Sequence, residues 1–286
     1  MNVAVIARLT FREAFRRKVI LGVVVLSVAF IALYAVGFHL FRQQFLEMAA
    51  RRATRPSSSP APTYAVSASA MVLLGLYTVN FLTGIMTIFA AVGTVAGEIE
   101  AGTLHAVVPK PIGRWQIILG KYLGFAVMLL VYIALMVTGV VATANVIGHY
   151  GPPHILHGML LVMLVSMILL SLTMLGSTIF STMTNGVIVF MLYGMAVTGG
   201  LVEQIGTALN NNTLVHIGIG TSVVVPSDSM WRLASYVVQP QLAISFIGPN
   251  PLGTTVLPSD LAVRYSVVYC VVLLMGAMLV FQRRDL

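Results

Sequence analysis

Apolar residues in this chain do not alternate with polar ones at the period of a half-buried helix or strand. They come in long runs, interrupted at a few places by turn-forming or charged residues. Residues 19–41 form the first run. A polar stretch with Arg42, Glu47, Arg51, Arg52 and Arg55 follows, and then the low-complexity tract "PSSSPAP" at 56–62, which reads as a loop. A second run lies within 67–96. Between Lys121 and Glu203 there is no Asp, Glu, Lys or Arg, so turn residues must divide that stretch: "GHYGPPH" at 148–154 and "TMTNG" at 182–186. A spanning helix needs about 20 apolar residues. The pattern therefore predicts an all-α integral membrane protein with six transmembrane helices, at about 19–41, 70–96, 122–147, 156–181, 187–205 and 261–281, in one transmembrane domain covering 1–286. Ahead of the first run, Val3, Ala4, Ala7, Phe11, Ala14 and Phe15 share one helical side. Arg8, Arg12, Glu13, Arg16 and Arg17 share the other. Residues 1–18 thus read as a helix lying in the headgroup layer, or as a basic flank that orients the first span. Residues 206–260 mix apolar stretches too short to span with five prolines. They are expected on the outer side, re-entrant or lying on the membrane, or as an ordinary loop.

Composition sharpens the reading. The 286 residues are 58% hydrophobic and only 8% charged, where a soluble domain carries about 25% charged residues. Lipid is the expected solvent. The formal net charge of +8 is better explained by cations at the ends of apolar runs than by nucleic-acid binding. The first run is too long for the apolar core of a signal peptide and is expected to be retained. The lone Cys270 lies inside an apolar run and excludes an intramolecular disulfide. With both termini cytoplasmic, the inner side collects the N-terminal cations with Lys110, Arg114, Lys121, Arg283 and Arg284. Arg42, Arg51, Arg52, Arg55, Arg232 and Arg264 fall outside. That bias favours a multi-pass protein of the cell's inner membrane with both ends inside.

Residues 97–121, "GEIEAGTLHAVVPKPIGRWQIILGK", stand out. Glu98, Glu100, Lys110, Arg114 and Lys121 crowd together here with Pro109 and Pro111. Thr103 is placed to cap a short helix. Leu104, Val107 and Val108 then share one face at i, i+3, i+4 spacing. Pro109 cannot continue that helix, and Pro111 bends the chain again. Arg114 to Lys121 leads back to the membrane, with Trp115 at headgroup depth and Glu98 or Glu100 as a partner for Arg114. A short apolar-faced knob of this kind suits docking into a groove of another protein. A juxtamembrane loop whose charges only set topology fits the same residues.

Other chemistry is sparse. A P-loop requires G-x-x-x-x-G-K-[ST]. Gly120-Lys121 is followed by Tyr122, with Trp115 where the first glycine belongs. Glu203 and His39 are the ionisable residues near span ends, and both read as interfacial residues more readily than as a proton relay. No HExxH or paired intramembrane acid points to an enzyme. His149, His154 and His157 flank a turn at spacings that fit no standard zinc pattern. Gly93 and Gly97, and the Ser and Thr residues at 166, 171, 173, 177, 178 and 181, permit close helix contacts.

The order Gly97-Glu98, Gly102-Thr103-Leu104, Pro111, Arg114 and Gly120-Lys121 resembles the element between the second and third spans of ABC transporter permeases of the type-2 exporter class. The basic helix before the first span is similar to that family's N-terminal interfacial helix. "PSDSMWRLAS" at 226–235 resembles an element of multicopper-enzyme maturation permeases. The resemblance implies that 97–121 is a coupling helix resting on a separate ATPase subunit, with Glu98, Glu100, Gly102, Thr103, Leu104, Val107, Val108, Pro111, Arg114 and Lys121 as its docking residues. It implies an assembly of two permeases, identical or related, with two ATPases that bind ATP and Mg. No cofactor, metal or catalytic residue is expected in this chain. The charge-poor turn at 182–186 departs from the pattern and leaves a second cytoplasmic contact open. The rival readings are an ion-coupled secondary transporter and a membrane-embedded assembly factor.

Overall fold

The computed structural model describes residues 3–14, 18–54, 64–100, 113–240 and 260–283. Among them 90% are helical and none is in a strand. Ten helices follow in order: α1 Val3–Ala14, α2 Lys18–Thr54, α3 Tyr64–Ala91, α4 Ala96–Glu100, α5 Arg114–Val146, α6 Ile155–Ile179, α7 Thr182–Ala208, α8 Asn212–Val224, α9 Ser227–Val238 and α10 Asp260–Arg283. Six of them, α2, α3, α5, α6, α7 and α10, are long and apolar enough to cross a membrane. Lipid offers no hydrogen bonds, so a spanning chain must satisfy its backbone internally, and the helix does this within one segment.

The helix α3 is the centre of the bundle. It contacts α2, α5, α6, α7 and α9, and 67% of its most apolar stretch is buried, against 22% for α2 and 17% for α10. The outer faces of α2 and α10 therefore present bare hydrocarbon, including Val25, Leu33, Val268 and Val272. The core between α3, α5 and α6 is filled by Val72, Leu76, Phe125, Leu129, Ile133, Ile168 and Leu169.

Three departures from the sequence reading have physical causes. First, α2 continues as helix far past Phe41, through the polar stretch to Thr54. The residues from Arg42 to Thr54 include no Gly or Pro and are rich in helix formers. Leaving the apolar run changes the solvent, not the backbone. Phe41 and Phe45 hold this extension against Tyr64 at the start of α3. Second, α1 packs along the first turns of α5. Ile6 and Thr10 are buried there, while Val5 and Leu9 are exposed. Third, residues from Asn212 to Val238 fold as two helices: α8 lies on α7 with Gly218 buried and Ile217, Ile219, Val223 and Val224 exposed, and α9 packs into the bundle. Asn210 ends α7 in the left-handed region, and Asn211 caps α8, its side chain accepting from Thr213 N and Leu214 N. The helix α8 returns along α7 so closely that a Cβ on Gly218 would lie 2.4 Å from that of Glu203. The helix α9 then lies along α6 with Met230, Trp231, Arg232 and Ala234 buried.

Candidate functional site

The predicted docking residues Gly102, Thr103, Leu104, Val107, Val108 and Pro111 lie outside the described residues. Of Glu100 only the backbone is described, as the last residue of α4. The structure does show how the two ends of this segment are anchored. The chain leaves α3 at Ala91, makes a break at Val92–Val95, and enters the one-turn helix α4. A break of this kind frees backbone groups that buried surroundings must satisfy, and three neighbouring helices do so. From α6, Ser177 Oγ accepts from Val95 N at 2.9 Å and Ala96 N at 3.1 Å, two of the donors that open α4. From α7, Asn185 Nδ2 donates to Val92 O at 3.0 Å and to Thr173 O of α6 at 3.1 Å. From α5, Lys121 Nζ donates to Thr94 O at 2.7 Å and pairs with the Glu98 carboxylate.

Packing is as specific as the hydrogen bonding. Ser177 and Asn185 are fully buried, and Lys121 is only 8% exposed. A Cβ at Gly176 would lie 2.0 Å from Asn185 Oδ1, so glycine at 176 is what lets the amide sit between α6 and α7. A lysine taken so far from water needs both a charge partner and hydrogen bonds, and Glu98 with Thr94 O supplies them. Arg114, at the first turn of α5, reaches the carbonyl of Gln282 near the end of α10 at 3.4 Å.

Glu98 and Lys121 are thus brought together in one junction, while Arg114 meets the end of α10. Of the pairing expected for Arg114, the Glu98 carboxylate is engaged by Lys121. Sequence reasoning missed the part played by Ser177, Asn185 and Thr94. Ser177 stood among the small residues of its span, and Asn185 inside a turn noted for lacking charge. The signal available was an amide within a few residues of an apolar span, which in lipid needs a partner.

A second polar cluster joins α7, α8 and α9. Arg232, counted in the sequence as an outer cation, is instead 5% exposed and buried in ion pairs. It grips Glu203 of α7 with both ends of its fork, Nη1 to Oε1 at 2.7 Å and Nη2 to Oε2 at 2.9 Å. Its Nε lies 3.0 Å from Asp228 Oδ2. Glu203 is thereby a partner of a buried guanidinium rather than a simple interfacial acid. Among the described residues no group of three or more His, Cys, Asp or Glu is placed to hold a metal ion.

A bundle with six helices of spanning length and composition, with the ends of five of them (α3, α5, α6, α7 and α10) meeting beside a charged connecting segment, defines a multi-pass membrane protein. The chain belongs to the ABC-2 transporter family: the family model described as ABC-2 family transporter protein matches residues 4–286. It is a permease component of an ABC transporter, and membership implies an ATPase partner. No curated protein sequence matches the chain significantly.

Proposed function

We propose that this permease serves an ATP-driven exporter of the cell's inner membrane and that residues 97–121 are its coupling segment. In this reading Leu104, Val107 and Val108 dock on a separate ATPase, of which two copies act with two permeases, identical or related. ATP and Mg belong to the ATPase. Both termini and the coupling segment face the cytoplasm. The observation that carries the reading is the junction at Val92–Glu98. A segment that only set topology would need no clamp. Here both flanks of the segment are fixed to the spans, one through Ser177, Asn185 and Thr94, the other through Lys121. A push on the segment is therefore delivered to α5, α6 and α7 together, not absorbed in a loose loop.

Burial of one apolar side chain at an interface contributes about 1.5–3 kcal/mol, so Val107→Asp is expected to weaken ATPase recruitment at least tenfold. The measurement is co-purification with the ATPase, with ATP hydrolysis and transport followed together in vesicles. Unchanged binding and coupling would reduce the segment to a topology signal.

A further inference from the structure

A small cavity lies between α3, α7 and α9, lined by Tyr77, Asn80, Tyr193, Ser227, Asp228 and Trp231 among others. About 10 Å³ of it is open to the centre of a water molecule, room for about one water. Its polar lining is unusual. Asn80 is 5% exposed and Ser227 1%, yet Asn80 Oδ1 and Ser227 Oγ have no hydrogen-bond partner among the described residues. Asp228, also in the lining, has its Oδ2 ion-paired with Arg232 Nε at 3.0 Å. An amide oxygen and an ionised carboxylate can only accept. They line one space with the Ser227 hydroxyl, the phenols of Tyr77 and Tyr193 and the indole of Trp231, none of which carries a positive charge.

Charge counting identifies what the cluster beside this cavity lacks. Asp228, Glu203 and Arg232 form one buried cluster. With both acids ionised it would carry one uncompensated negative charge inside the bundle, where unpaired charge is very costly. The groups facing the cluster from other elements do not supply the missing positive charge. The helix α8 brings the hydroxyl of Ser222, which accepts from Arg232 at 3.3 Å. The helices α3 and α7 bring Tyr77 and Tyr193 to the cavity. The helix α10 brings Tyr265 and Tyr269, which donate to Val223 O and Val224 O, and α6 carries one titratable residue, His157, in its first turn. Glu203 has both carboxylate oxygens on the guanidinium. Asp228 has a single contact with the same guanidinium, through Nε.

We propose that the cavity beside Asp228 is a proton-binding site: the Asp228 carboxyl carries one exchangeable proton taken from solvent, which neutralises the buried cluster of two acids and one guanidinium. A metal cation fits less well, because a water-sized space with three or four oxygens cannot replace a hydration shell. The site is independent of which cargo or direction the transporter has.

Trp231 lines the cavity and the chain has one other tryptophan, Trp115. In full-length Trp115→Phe protein in lipid nanodiscs, Trp231 emission should titrate with a single proton between about pH 5 and about pH 9. The step should be absent in Asp228→Asn. Glu203→Gln removes the competing negative charge and should lower proton affinity at least tenfold. Infrared spectra of the wild type should show a protonated carboxyl band that shifts with carboxyl-13C aspartate; Asp228 is one of three aspartates, with Asp260 and Asp285. The infrared arm needs no variant. An aspartate band that is missing, or an emission step that survives Asp228→Asn, would overturn the proposal. So would emission that responds to sodium at fixed pH, which would make the ligand a metal cation.

Discussion

Lys121 and Glu98 show how a single pair can hold a junction. Lys121 reaches out of α5 to a carbonyl and a carboxylate on the chain leaving α3. Replacing it with Met keeps the stem and removes the charge. Thr94 O then loses its donor, and an unsatisfied buried group costs about 1–3 kcal/mol. Lys121→Met should lower stability by that amount in detergent denaturation, with membrane insertion intact, and loosen the coupling between ATP hydrolysis and transport. Equal stability in the two proteins would show that the pair is not a structural clamp. Gly200 makes a comparable point in the other cluster. A Cβ there would lie 1.7 Å from Asp228 Oδ2, so Gly200→Ala has to displace the carboxyl and is expected to destabilise by about 1–3 kcal/mol.

At the scale of elements, α1 behaves as part of the bundle as well as an amphipathic helix. Its contact with α5 depends on Gly120 and Gly124, where added side-chain atoms would meet Ile6, Ala7 O and Thr10. Gly124→Leu should push α1 off its seat while leaving α5 apolar and helical. A spin label at Arg8 would then gain mobility, and α1 would become sensitive to protease. An unchanged label spectrum would mean that the headgroup layer, not α5, positions the helix. The amphipathic pattern of residues 3–14 was legible in the sequence, because period alone reveals two faces. The seat on α5 was not, since it depends on two glycines more than a hundred residues away.

For the whole molecule, the six-helix count and the contacts place the start of α1, the start of α5, the junction after α3 and the end of α10 at one end of the bundle. The end of α2, the turn between α5 and α6 and the end of α7 lie at the other. In a Cys270→Ser background, a cysteine at Gln282 should be blocked by reagents added to the cytoplasmic side, and one at Arg51 by reagents added outside. The reverse pattern would invert the proposed orientation.

The amino-acid sequence by itself determined that this is a helical membrane protein with six long apolar helices and a charged, proline-containing stretch between the second and third. Those features are local: long apolar runs need lipid and helical backbone, and clustered charge and proline end a run wherever they occur. Which polar residues meet was decided only by the tertiary structure. Ser177, Asn185 and Lys121 come from three helices to satisfy one break in a fourth. Asp228 and Arg232 share a helix face by i, i+4 spacing, yet their partner Glu203 and the orphaned Asn80 arrive from helices remote in sequence. No periodicity records such meetings, because they follow from how the helices pack and from the high cost of leaving a polar group unpaired inside the bundle.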